Sequence, residues 1–322
     1  MNNLKNYKNL VTNFNLIDFA VPIIEFLLPI KYSPNQKYDN RYYITCIIDF
    51  INTGTSWNKY KGTIDHPIDG KYLNQIHNKF VKANVYEEIN KQLLQKYLQK
   101  GKETKLRYQI IDSSFISNKG GSINKNNYLL SDQVKEKNRM IRKTNKKSSK
   151  KHKRREESFI DFNKYNGRKK YFKISALTDS FGTPLTTSII SSKQSDNISL
   201  RETINKLPIN LNTLRNSKNN RYKQYLLADS GYNSNSNKAY LKQLGYTSII
   251  AYNKRNCKDK KIIEQNKLKG KERTIYKKRI IVESFFSWIK NFAVINQNYQ
   301  KTITSYNGLL SLASSIMISK RV

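Results

Sequence analysis

Leu106-Arg107-Tyr108-Gln109-Ile110-Ile111-Asp112 is the stretch that decides the fold class. Its apolar, β-branched run reads as a buried strand ending on a carboxylate, and it marks a change of pattern along the chain. Upstream, from Asn15 to about Lys100, apolar residues recur at three- and four-residue spacing in Tyr42 to Ile51, Leu73 to Val85 and Tyr86 to Leu98. That is the period of helices that bury one face. Gly54-Thr55-Ser56-Trp57 and Pro67-Ile68-Asp69-Gly70 supply turns between them, with Trp57 as a core anchor. Downstream, extended runs at Tyr171 to Thr178, Pro184 to Ser191, Gln224 to Ala228 and Thr247 to Ala251 are interleaved with helical patterns at Ile198 to Lys206, Asn235 to Leu244 and Thr274 to Ala293. The reading is a mixed α/β chain. A mixed sheet flanked by helices occupies residues 105–322, preceded by a small all-helical domain over residues 1–104 with a DNA-binding or assembly role.

The 322 residues carry 60 Lys+Arg against 23 Asp+Glu, a formal net charge of +37. Such a chain repels itself until a polyanion neutralises it, which points to nucleic acid. Heavy use of Asn, Lys, Ile and Tyr is also what an AT-rich coding sequence yields, so the clustering of charge carries more weight than its total. Twelve Lys or Arg and a single acid, Glu136, lie between Lys135 and Arg155. Lys146, Lys147, Lys150, Lys151, Lys153, Arg154 and Arg155 are its candidate phosphate contacts, within a basic, flexible insertion at about 117–165. A localisation signal or a solvated loop is the alternative for that run. Cys46 and Cys257 stand far apart without CxxC spacing, which supports neither a disulfide framework nor a structural zinc site. The apolar run from Leu16 to Ile30 is broken by Asp18, Pro22, Glu25 and Pro29 and reads as neither leader nor membrane span. The expected location is intracellular, with DNA. No Gly-rich phosphate loop occurs, and His66, His77 and His152 lie away from the acids discussed next, so they are assigned no catalytic role.

Asp112 closes one apolar strand and Asp229 another, after Tyr225-Leu226-Leu227-Ala228. A buried carboxylate at a strand end is costly unless a cation or donors satisfy it, and two on neighbouring strands offer the hard oxygens that Mg²⁺ or Mn²⁺ prefers. Asp also opens ordinary turns, so each acid alone says little. Glu283 adds geometry. At about 100° per residue, Tyr276, Arg279, Glu283 and Lys290 fall within roughly 60° on one helix face, while Ile281, Phe285, Trp288, Ile289 and Phe292 take the opposite face. A carboxylate for metal flanked by two cations for phosphate suits phosphodiester cleavage. A plain amphipathic helix with a solvent-facing Arg279–Glu283 pair remains the alternative.

Tyr276-x2-Arg279-x3-Glu283-x6-Lys290 resembles, spacing included, the Tyr-Arg-Glu-Lys signature of DDE transposases of the bacterial insertion-sequence-four and -five superfamily. Ile111-Asp112-Ser113-Ser114 with Gly120-Gly121 is similar to that family's first-aspartate strand, and Ala228-Asp229-Ser230-Gly231-Tyr232 to its second-aspartate motif. Asp179-Ser180-Phe181-Gly182-Thr183-Pro184-Leu185 looks like the intervening hairpin, Ser195-Asp196 like the following helix start, and Ile47 to Trp57 like the preceding helical domain. Ser284 stands where members commonly carry Arg. The resemblance implies a ribonuclease H-like catalytic domain in which Asp112, Asp229 and Glu283 hold two Mg²⁺ or Mn²⁺ ions. Tyr276, Arg279 and Lys290 would hold the DNA strand near the cut. It further implies double-stranded DNA partners, namely element ends and target, and a homodimer or larger assembly. The alternatives are a metal-dependent nuclease of the same fold and a domesticated transposase that only binds DNA.

Overall fold

The computed structural model describes residues 15–29, 38–99, 101–119, 161–162, 170–192, 194–208, 223–254 and 259–322. The basic run containing Lys146, Lys147, Lys150, Lys151, Lys153, Arg154 and Arg155 lies outside them, as does Cys257.

The N-terminal half is helical: α1 (Leu16–Leu27), α2 (Asn40–Thr53), α3 (Gly70–Lys82) and α4 (Val85–Gln99). Side chains set their starts, since Asn15, Asp39 and Asp69 each accept from free N–H groups of the first turn of α1, α2 and α3. Gly54 ends α2 with φ 65°, and a Cβ there would stand 2.9 Å from that of Ala293, so the position demands glycine on two counts. Trp57 opens the short 3₁₀ turn Trp57–Lys59, stacks on Phe50 with centroids 3.6 Å apart, and donates from Nε1 to Gln300 Oε1 at 2.7 Å. It anchors the core as its sequence context predicts.

After α5 (Lys102–Leu106) come β1 (Tyr108–Asn118), β2 (Asp161–Phe162), β3 (Lys170–Thr178), β4 (Pro184–Ile190) and α6 (Asp196–Asn205). They are followed by β5 (Tyr225–Ala228), α7 (Asn235–Gln243), β6 (Thr247–Ile250), α8 (Lys260–Gln265), α9 (Gly270–Tyr276) and α10 (Ile280–Ile289). The chain closes with α11 (Ala293–Asn296), β7 (Gln297–Asn298) and α12 (Ile303–Ser319). The strands form one mixed sheet ordered β2-β3-β1-β5-β6, with β4 also on β3 and β7 also on β1. β1 runs antiparallel to β3 and parallel to β5, and β5 runs parallel to β6. Helices cover the sheet, α6 on β3 and β4, α7 and α9 on β6, and α10 on β1 and β3. This is the ribonuclease H-like arrangement that the resemblance implies.

Two local expectations need correction. Asp112 does not end its strand: Leu106 belongs to α5, and β1 continues through Asn118. The polar Ser113 and Ser114 interrupt the apolar pattern, but β3 keeps pairing through Ser117↔Tyr171, and that ladder carries β1 onward. Likewise Thr274 to Ala293 is not one helix. A 3₁₀ turn, Lys277–Arg279, separates α9 from α10. Its three residues are basic and offer no apolar anchor, while α9 serves β6 and α10 serves β1 and β3, so the axis must change between them.

α12 packs on α4, α3 and β4, closing one hydrophobic core that runs from Leu16 to Ile318. Asn90 Nδ2 donates to Ser315 Oγ at 3.3 Å and Ser311 Oγ to Tyr86 O at 3.1 Å, and a Cβ on Gly308 would meet Val81 at 2.7 Å. His77 is fully buried among these helices, Nδ1 2.9 Å from Tyr86 Oη and Nε2 2.9 Å from Ser305 Oγ. Burial pushes its pKa down to about 3, so the ring is a neutral core residue, as its place away from the acids suggested.

Candidate active site

The parallel register of β1 and β5 brings two acids level. Its last pair is Ile110↔Leu227, and two residues further along each chain stand Asp112 and Asp229. Strand alternation then divides β1 between two helices. Asp112 and Ser114 face α10, whereas Ser113, like its cross-strand neighbour Ser175, faces α6. Each aspartate is held by local backbone: Asp112 Oδ1 accepts from Ser113 N at 2.8 Å, and Asp229 Oδ1 from Gly231 N at 2.7 Å as it caps the 3₁₀ turn Ser230–Tyr232.

Glu283 joins them through an arginine. Arg279 Nη1 pairs with Asp112 Oδ2 at 3.0 Å and Nη2 with Glu283 Oε1 at 3.1 Å, so one guanidinium links both carboxylates. Lys290, at the end of α10, donates to Ser114 Oγ at 2.7 Å, and partial burial lowers its pKa. Tyr276 is half-buried beside Arg279. Its hydroxyl pKa is raised by burial and by the charges of Asp229 and Asp112, with Arg279 opposing. Asp112 itself is pushed up to about 6, first by burial and further by Asp229 and Asp196, against the pull of the Ser113 N–H and Arg279. The 3₁₀ turn explains why these side chains still share a side. At about 120° per residue, three residues make a full revolution, so Arg279 returns beneath Tyr276 before α10 presents Glu283. Among the described residues, no three His, Cys, Asp or Glu side chains stand close enough to form a metal cage, and Arg279 lies between Asp112 and Glu283.

The model of the transposase DDE domain matches residues 103–318 of this chain, well over half its length. The chain belongs to that transposase family. Comparison with curated proteins and with solved structures gives no match.

Family membership makes this transposase a member of a class that cuts and joins DNA. Tyr276, Arg279, Glu283 and Lys290, chosen from one helical stripe, do gather around Asp112 and Asp229. Sequence reasoning passed over a further acid. Asp196, the first residue of α6, accepts through Oδ1 from Lys173 Nζ at 3.2 Å and from Ser113 Oγ at 3.3 Å. Its Oδ2 lies 2.9 Å from where a Cβ on Gly231 would sit, so it meets the residue after Asp112 in β1 and the turn after Asp229 from the far face of the sheet. Tyr232 is buried below, its pKa raised by burial and by Asp112 and Asp196; its hydroxyl stands near Ser113 and Ser199 without a hydrogen bond of normal geometry. The signal available in sequence was Ser195-Asp196 as a helix start, but nothing there says that α6 crosses behind β1. No helix of the described residues is long and apolar enough to cross a membrane.

Proposed function

We propose that this transposase cleaves phosphodiester bonds at the ends of a mobile element and joins the freed ends to target DNA, as a member of the insertion-sequence-four and -five superfamily. Asp112, Asp229 and Glu283 are its metal-ligand triad. The observation that supports this most is the parallel register that leaves Asp112 and Asp229 two residues beyond its last pair, with Asp112 tied to Glu283 by a single arginine. The donor set fits a divalent cation. Asp112 is held near pKa 6 by burial beside two further acids, a concentration of hard oxygen charge that one guanidinium only partly offsets. Bound there, Mg²⁺ or Mn²⁺ ions would activate water and stabilise the leaving 3′ oxygen.

The chain's own residues do the rest. Asp112 and Asp229 stay fixed because the Ser113 and Gly231 N–H groups hold one oxygen of each. Arg279 and Lys290, at the two ends of α10, set two cations on the side of Asp112 and Ser114, where backbone phosphates of the cut strand would lie. Tyr276 lines the approach beside Arg279 and offers a hydroxyl donor or a ring to stack. Residues before β1 form a helical domain that contributes DNA contacts or assembly, and the protein works as a homodimer or larger assembly on double-stranded DNA.

Incubation with element-end duplex and Mg²⁺ or Mn²⁺ tests this reading. Wild-type protein should cleave and join. Asp229→Ala should lose both while binding DNA as well or better, since a negative charge beside phosphate is gone. Full cleavage by Asp229→Ala would overturn the assignment. Cleavage without joining would make the protein a nuclease, and binding alone a domesticated DNA-binding form.

A further inference from the structure

We infer that Arg279 competes with the divalent cations for the same carboxylate oxygens, so that cation binding and DNA binding are coupled through this one side chain. The inference rests on the metal-ligand roles proposed above for Asp112 and Glu283. Both oxygens of Asp112 are engaged. Oδ1 accepts from the backbone N–H of Ser113 and Oδ2 from Arg279 Nη1, so Oδ2 is the oxygen that a side-chain movement alone can release. The other arm of the same guanidinium holds Glu283 Oε1. A cation held by these two acids would have to displace one guanidinium, whose two arms each reach an oxygen of one acid.

The displaced guanidinium has an obvious next partner. Arg279 sits in the 3₁₀ turn between α9 and α10, its side chain 26% exposed, next to exposed Lys277 and Lys278. A planar fork that fits a carboxylate fits a phosphate equally well. Cation arrival therefore frees a phosphate donor, and phosphate arrival frees two metal ligands. Linkage requires the effect to be reciprocal and equal in both directions.

Mn²⁺ binding, followed by electron paramagnetic resonance of the free ion, separates this inference from the reading beneath it. Arg279→Gln should bind Mn²⁺ on the order of tenfold tighter than wild type, within the usual range of such couplings. Lys278→Gln removes an equal charge from an ammonium that lies over the Tyr108 ring and should leave Mn²⁺ affinity unchanged. Arg279→Lys keeps the charge but loses the fork, and should also bind Mn²⁺ more tightly. The reciprocal measurement is DNA affinity by fluorescence anisotropy with and without Mn²⁺: the gain that Mn²⁺ confers on wild type should shrink in Arg279→Gln. If Asp112→Asn binds Mn²⁺ as wild type does, the metal-ligand reading itself fails. If Asp112→Asn loses Mn²⁺ but Arg279→Gln gains nothing, or Lys278→Gln gains as much, the metal reading stands and the competition is overturned.

Discussion

A single glycine sets how closely the turn after Asp229 approaches Asp196 at the start of α6. A Cβ at Gly231 would stand 2.9 Å from Asp196 Oδ2 and 3.0 Å from Asp229 Oδ1, inside van der Waals contact with both. Neither acid is free to retreat: Asp196 is tied to Lys173 and Ser113, and Asp229 takes the N–H of residue 231 itself. Gly231→Ala should therefore displace Asp229 by a few tenths of an ångström without touching Arg279 or Lys290. Misplacement of a reacting group by ~1 Å costs about a hundredfold in rate, so single-turnover cleavage should fall by roughly three- to tenfold. DNA affinity measured by anisotropy should stay within about twofold, because Arg279 and Lys290, the proposed phosphate contacts, are untouched. Unchanged cleavage by Gly231→Ala would mean that this turn does not constrain the site. The same contact shows why Asp196 escaped a reading of the sequence, since its neighbours Ser113 and Gly231 come from two other elements and only the fold brings them together.

At the scale of elements, much was legible because period and propensity act locally. α2, α3 and α4 fall where the three- and four-residue spacing put them, and β3 to β6 where β-branched runs lie between turn residues. What escaped was decided by partners distant in sequence. β1 runs on past Asp112 because β3 pairs with it, and the helix that carries Glu283 breaks at Lys277–Arg279 because its two halves pack on different strands. The register that levels Asp112 with Asp229 could be expected only as two strand ends meeting, since nothing in either segment specifies its neighbour. A testable consequence lies where α3, α4 and α12 meet at His77. Its pKa is lowered to about 3 in the folded protein, below the ordinary histidine range. The unfolded chain thus binds a proton near pH 6.5 that the folded chain refuses. Stability from this group is complete above about 6.5 and lost as pH falls toward 3, at roughly 1.4 kcal/mol per unit. Urea unfolding between pH 6.5 and 5 should show a slope larger by up to that amount in wild type than in His77→Gln, which keeps a donor and an acceptor but does not titrate; Asp112, held near 6, contributes equally to both. Equal slopes would place the titrating group elsewhere.

The whole molecule is governed by its +37 charge, which neither the core nor the acid cluster explains. The phosphate contacts proposed for Arg279 and Lys290 would occupy only two of the sixty basic residues. An AT-rich coding bias accounts for part of the rest, and the dense run from Lys135 to Arg155 is where clustered charge points to DNA beyond the cut. Each phosphate neutralised releases counterion, so the logarithm of the DNA association constant should fall linearly with the logarithm of salt, with a slope of about 0.9 per contact. For six to ten contacts that is a loss of roughly 10³ to 10⁵ in affinity between 50 and 200 mM salt. Replacing Lys146, Lys147, Lys150, Lys151, Lys153, Arg154 and Arg155 by Gln should reduce the slope by several units, while Lys290→Gln should reduce it by about one. The two sets should differ in chemistry as well. The run is remote in sequence from Asp229 and Glu283, so its loss should weaken binding yet leave cleavage of fully bound DNA near the wild-type rate; Lys290→Gln, beside Ser114 on the Asp112 face, should lower that rate. A slope that survives neutralisation of all seven residues would assign the run to some purpose other than holding phosphate, and would move the search for DNA contacts to the helices that precede β1.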